Sequence, residues 1–142
     1  MMRRIEQEHL EDLALGAVFL ATGGGGDPHL PRLIAQQALE SYGPVDLVRP
    51  DDLDDSAFVV PVGSVGAPTV SLELLPSLDE AANTIAAFED FVGRKADAIA
   101  SFEIGGEAER MVSYRQLSRE SALEGVTTEA TRRAVAAGAD AA

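Results

Sequence analysis

Cysteine and tryptophan are absent from this 142-residue chain, histidine occurs twice, and lysine plus arginine number 11 against 24 aspartates and glutamates. The missing cysteine excludes disulfides, thiolate metal sites and a cysteine nucleophile together. With only two histidines, a zinc centre built within the chain would have to be rich in carboxylates, an uncommon arrangement. A net charge of −13 opposes any extended phosphate backbone, and 5 Phe and 2 Tyr offer little surface on which bases can stack. Nucleic acid is therefore not an expected partner, although backbone N–H groups can still hold a small anion locally. No run of 18 apolar residues occurs, and Met1-Met2-Arg3-Arg4-Ile5-Glu6 turns acidic where a secretory leader would turn apolar. The expectation is a cytoplasmic protein with no membrane partner.

What the chain does have is enough apolar residue, 46%, to bury a core of one ordinary domain. It also has four consecutive glycines in Thr22-Gly23-Gly24-Gly25-Gly26-Asp27-Pro28-His29. Each glycine loses more backbone freedom on folding than any other residue, so a fixed run needs a reason, such as positive φ or close backbone approach to a ligand. A Gly run also fits a flexible linker, but both flanks here are apolar and periodic, which reads as a turn inside a domain. Asp27 fits an N-cap and Pro28 the first helical position, where a missing N–H costs nothing. The glycines would then face the positive end of a helix dipole.

Leu10, Leu13, Ala14, Ala17, Val18 and Ala21 recur at helical spacing before the glycines, and His9 beside them reads as a satisfied or solvent-facing residue. Leu30, Leu33, Ile34, Ala38 and Tyr42 repeat the period after them, with Gly43 and Pro44 as the stop. Val45 to Val48 alternates like a short strand, and Pro50 to Asp55 is an acidic turn that reads as solvated loop and matches no calcium loop. Ala57 to Gly63 suits a buried strand, with Pro61 pointing to an edge, a bulge or the strand's end. Ser64 to Glu73 reads as a Gly/Pro-punctuated loop at the place where α/β sheets collect ligands. Ser77 and Glu80 form a capping-box pattern for a helix with Ala81, Ala82, Ile85, Phe88 and Val92 on one face, ended by Gly93. Ala96 to Ile104 reads as another buried strand, delivering Glu103 to the pair Gly105-Gly106. Beyond it, Glu107 to Glu124 is polar with weak helical spacing and Thr128 to Ala137 fits a short helix. The expected fold class is α/β: a small single domain with helices packed on a short mixed or parallel sheet, residues 1–106 forming the α/β domain and 107–142 a divergent, mostly helical ending.

Three glycine-marked loops can thus converge. Their order and spacing resemble the N-terminal domain of the S-methyl thiohydantoin desulfurase family, which is related to hydantoinases. Thr22 to Pro28 resembles that family's first glycine signature, Gly66-Ala67-Pro68-Thr69-Val70 its second and Glu103-Ile104-Gly105-Gly106 its third. Two departures stand out. The family's second motif continues to a Glu-Lys pair where Glu73 is followed by Leu74, and its third continues to an Asn and an apolar, Gly-rich stretch where this chain has Glu107, Ala108 and a polar tail. The remaining length is too short for the family's second domain, so the chain is expected to carry half of a site that lies between domains.

The resemblance implies hydrolysis of a small five-membered hydantoin-like ring. Such chemistry needs an activated water and donors for developing negative charge. Asp27, Glu73 and Glu103 are the candidate catalytic carboxylates. Gly23, Gly24, Gly25, Gly26, Gly66, Thr69, Gly105 and Gly106 are the candidate ligand-binding residues. A divalent metal is a candidate cofactor, with His29 and Glu103 as candidate ligands. Each acid also has a structural role open to it: Asp27 as helix cap, Glu73 as loop surface, Glu103 as acceptor for N–H groups at the glycine turn. The alternative to a hydrolase is a non-catalytic binding or assembly module, and the expected association is a homo-oligomer or a complementing second chain. A nucleotide cradle fits least, because no Gly-Lys-Ser/Thr ends the run and no strand precedes it.

Overall fold

A computed structural model describes residues 3–66, 68–73, 78–106, 112 and 125–126. Strand β1 (Arg3–Ile5) leads through a short 3₁₀ turn (Gln7–His9) into α1 (Leu10–Ala21), the glycine loop and α2 (His29–Tyr42). Strand β2 (Val45–Leu47), a 3₁₀ turn (Pro50–Asp52), β3 (Val59–Val62), α3 (Pro68–Glu73), α4 (Leu78–Val92), β4 (Ala98–Ser101) and β5 (Gly125–Val126) follow. The five strands form one mixed sheet in the order β1-β2-β5-β4-β3, antiparallel between β1 and β2 and parallel elsewhere. Helices packed on a short mixed sheet make a small α/β domain, as the sequence predicts.

The helix ends follow the expected chemistry. Gly43 (φ +89°) and Gly93 (φ +72°) close α2 and α4 from positive φ, their N–H groups donating to the carbonyls of Leu39 and Glu89. β3 is an edge strand, and Pro61 is exposed within it, where the missing N–H disturbs only an unpaired edge. The edge position bears out the reading of Pro61 and corrects the expectation of a buried strand, since only Val60 of the four residues of β3 is buried.

The apolar stripes differ from their predicted membership. In α1, Leu10, Leu13, Ala14 and Ala17 are buried as expected, but Val18 is 48% exposed. In α2 the buried face is Pro31, Ala35, Ala38 and Leu39, while Leu33 and Tyr42 are exposed. Small alanines let α2 lie close against α1, and the larger side chains one step round the helix are left outside. In α4 Ile85 is buried, whereas Phe88 and Val92 are exposed. Ile5, Leu13, Val45, Ile99 and Val112 are the largest fully buried side chains, so the core draws on β1, α1, β2 and β4.

A buried carboxylate that the pattern does not announce fixes the junction between α4 and β4. Glu89 is 2% exposed and accepts from the Ala96 N–H and the Lys95 ammonium, each at 2.8 Å. At the base of β3, the Phe58 N–H donates to the Asp97 carboxylate at 2.7 Å and the Asp97 N–H to the Phe58 carbonyl at 2.9 Å. The Arg94 guanidinium lies 5.1 Å from the Phe58 ring centre, and that ring stacks on Phe88.

The predicted cap at Ser77 and the two helical stretches beyond Gly106 lie outside the described residues, except that Val112 is helical and buried. β5 was not among the predicted elements. It places residues from beyond Gly106 in the middle of the sheet, between β2 and β4.

Candidate active site

The four-glycine run begins with an unusual residue before any glycine. Thr22 ends α1 in the left-handed region at φ +50°, the one non-glycine residue with positive φ among the described residues. A β-branched side chain there costs about 1–2 kcal/mol, and such strain collects at functional sites. Gly23, Gly25 and Gly26 follow with φ of +98°, +71° and +81°.

The glycines themselves have different duties. An added Cβ at Gly23 or Gly26 would have nothing within 4 Å, and at Gly24 would make an ordinary 3.5 Å contact with the Ala21 carbonyl. At Gly25 it would lie 1.4 Å from the Ile104 carbonyl oxygen. The fit is mutual: a Cβ at Gly105 would lie 2.7 Å from the Gly24 carbonyl oxygen, and one at Gly106 would lie 2.7 Å from that of Asp27. The Gly106 N–H donates to the Gly26 carbonyl at 3.3 Å. The first and third glycine motifs therefore interlock backbone to backbone just past the C-terminal end of β4, with no room for a side chain at Gly25, Gly105 or Gly106.

Asp27 caps α2. Its carboxylate accepts from the His29 N–H at 2.8 Å, and the Pro28 carbonyl already takes the Arg32 N–H at 2.9 Å, although the regular helix is assigned from His29. Glu103 stands two residues past β4 in a bend, exposed. Its carboxylate makes no hydrogen bond or ion pair among the described residues, so it does not accept from the glycine turn; its carbonyl instead accepts from the Ser101 hydroxyl. Gly63, three residues before the second motif, lies at this end: a Cβ there would be 3.0 Å from the Cβ of Phe102. Pro68 to Glu73 form a helix and not the expected loop, since a proline is readily placed in a first turn. Thr69 and Glu73 are exposed on that helix, and Gly66 has open space around it.

His29 is exposed in the first turn of α2, and among the described residues no three His, Asp or Glu side chains gather as a metal ion would require. His9 is a satisfied residue: its Nδ1 accepts from the Glu6 N–H at 3.0 Å. The acidic turn is also internally engaged. Arg49 pairs with Asp52, and hydrogen bonds from the hydroxyl and then the N–H of Ser56 hold the Asp54 carboxyl below the usual carboxylate range. Sequence reasoning missed Thr22, whose only signal is its place immediately before the glycines.

Fold and site together define a small α/β domain whose glycine motifs meet at the C-terminal edge of a mixed sheet. The profile of the S-Me-THD-like N-terminal domain matches residues 8–137, nearly the whole chain, and this protein belongs to that family. No curated protein matches, and no solved structure does. The match runs well past Gly106, as does the sheet. Among the described residues, no helix is long and apolar enough to cross a membrane.

Proposed function

We propose that the chain supplies the catalytic carboxylates of a hydrolase acting on a small cyclic amide or thiohydantoin-type ring. The observation that supports it is the interlock of Gly24 to Asp27 with Ile104 to Gly106, which brings the segments bearing Asp27 and Glu103 to one end of the sheet. The N–H groups of Gly25 and Gly26 have no acceptor among the described residues.

In this reading the Glu103 carboxylate takes a proton from a water as its oxygen attacks the electrophilic ring carbon. The negative charge that develops there is met by the unpaired glycine N–H groups. When the bond from that carbon to its sulfur or nitrogen leaving group breaks, the proton held on Glu103 passes to the leaving atom, so one water is consumed and the carboxylate is restored. Asp27, already fixed by the His29 N–H, holds the ring, and Glu73 lines the approach. A homo-oligomer or a complementing second chain would complete the enclosure.

The test is release of methanethiol from an S-methyl thiohydantoin, and ring opening of a plain hydantoin, by the purified protein. Glu103→Gln is expected to lower kcat by about 10²–10⁴-fold with the fold intact. Equal turnover by that variant would remove Glu103 from the reaction.

A second reading, a small-molecule-binding or assembly module without turnover, is favoured by one specific observation. Gly25, Gly105 and Gly106 are accounted for by backbone packing alone, with no ligand needed to explain them. Its sign is saturable binding of the same rings by calorimetry with no product formed.

A further inference from the structure

Three of the five phenylalanines are largely exposed: Phe19 at 74%, Phe91 at 89% and Phe102 at 74%. Large exposed apolar groups of this kind mark interaction surfaces when they stand together. Phe102 is the one whose neighbourhood has a definite character. It follows β4 directly, its N–H donates to the Val62 carbonyl at 3.0 Å, and it lies against Gly63. Val65, fully exposed, is two residues beyond Gly63. Glu103 is next to Phe102, with an exposed carboxylate that nothing among the described residues neutralises.

The distribution of cations gives this patch its complement. Arg4, Arg32, Arg49, Arg94 and Lys95 each already hold an internal carboxylate, on Asp46, Glu11, Asp52, Asp97 and Glu89 respectively. Glu103 and, on α3, Glu73 have no such cation among the described residues. Among the described residues, this end of the sheet therefore presents exposed apolar side chains beside the unneutralised Glu103 carboxylate, in a chain of net charge −13.

We propose that this end of the sheet, with Phe102 and Val65 as apolar anchors and Glu103 as the charged contact, docks a protein whose contact face is apolar at its centre and carries lysine or arginine at its rim. Aromatic anchors supply most of the affinity at such contacts, and opposite charge around them supplies selection and speed of encounter. A second copy of this chain brings −13 against −13 and so matches the patch less well than a basic rim does, as does an anionic lipid surface or nucleic acid. The inference needs no turnover; it shares Glu103 with the hydrolytic reading, and the binding readout separates the two.

The test uses the full chain and two designed amphipathic helical peptides of equal leucine content, one with lysine on its polar face and one with glutamate. The lysine peptide is expected to bind, to shift amide resonances at 62–66 and 101–106, and to weaken as salt is raised, while the glutamate peptide does not bind. Phe102→Ser and Val65→Ser should each weaken binding, the former by about tenfold or more. Phe91→Ser, which removes an exposed ring on α4, should leave it within about twofold. Binding that survives Phe102→Ser, or that depends on Phe91, overturns the proposal. So does a concentration-dependent dimer abolished by Phe102→Ser, which would make a second copy the occupant.

Discussion

At the scale of single residues, the four adjacent glycines look identical in sequence and differ sharply in what they tolerate. Gly25 combines positive φ with a carbonyl oxygen where its Cβ would be, so Gly25→Ala must displace the segment at Ile104 and is expected to cost about 3 kcal/mol or more. Gly23→Ala and Gly26→Ala carry the backbone strain without the collision and should cost about 1–2 kcal/mol each. Gly24, with neither problem, should accept alanine within about 0.5 kcal/mol. Denaturant unfolding of the four variants checks the order, and equal losses would mean that the interlock is not what the run is for. Thr22 poses the converse case, a side chain held where glycine or asparagine is at ease. Thr22→Asn should therefore gain up to about 1 kcal/mol, seen as a rise in Tm of about 2–4 °C. A fall in Tm would show that contacts of the threonine outweigh the strain of its backbone.

At the scale of elements, much of the pattern was readable because it rests on local chemistry. Glycines at positive φ end α2 and α4, Asp27 caps α2, and Pro61 marks an edge, each a consequence of what one residue's backbone can do. The membership of buried stripes was less readable, because Val18, Tyr42 and Phe88 satisfy the helical period and yet stay exposed, Phe88 even as it stacks on Phe58. Glu89 shows the limit most clearly. A glutamate between Phe88 and Asp90 reads as solvated, and only the return of the chain as Lys95-Ala96 gives its carboxylate a reason to be buried. That arrangement predicts an order of effects on unfolding. Glu89→Ala leaves the buried Ala96 N–H without an acceptor and should cost about 2–4 kcal/mol. Glu89→Gln keeps an oxygen for that N–H and should cost distinctly less, and Lys95→Ala, which removes a half-exposed partner, less than about 1 kcal/mol. Equal losses for alanine and glutamine would assign the stability to the charge and not to the hydrogen bond.

At the scale of the whole molecule, the sheet depends on its shortest strand. β5 has two residues, too few for any alternation to register, and it comes from a stretch whose polar composition speaks for helix or loop. Yet Val126 pairs with Leu47 of β2 on one side and Ile99 of β4 on the other, so among the described residues it alone joins the β1–β2 ribbon to the parallel pair β4–β3. The candidate site depends on the same joint, because the glycine loop follows α1 in the β1–β2 half while Gly105 and Gly106 follow β4 in the other. Proline at position 126 removes a ladder N–H where the two halves of the sheet join and obliges the backbone to part from a neighbour. Val126→Pro is thus expected to lower Tm by much more than the same change at the edge, Val59→Pro, and to broaden the unfolding transition as the two halves lose their common cooperativity. Amide exchange followed by NMR makes the comparison direct: faster exchange on both sides, at Leu47 and at Ile99, is the signature of a lost joint. Protection retained at both would mean that packing of the helices, and not β5, holds the glycine motifs together.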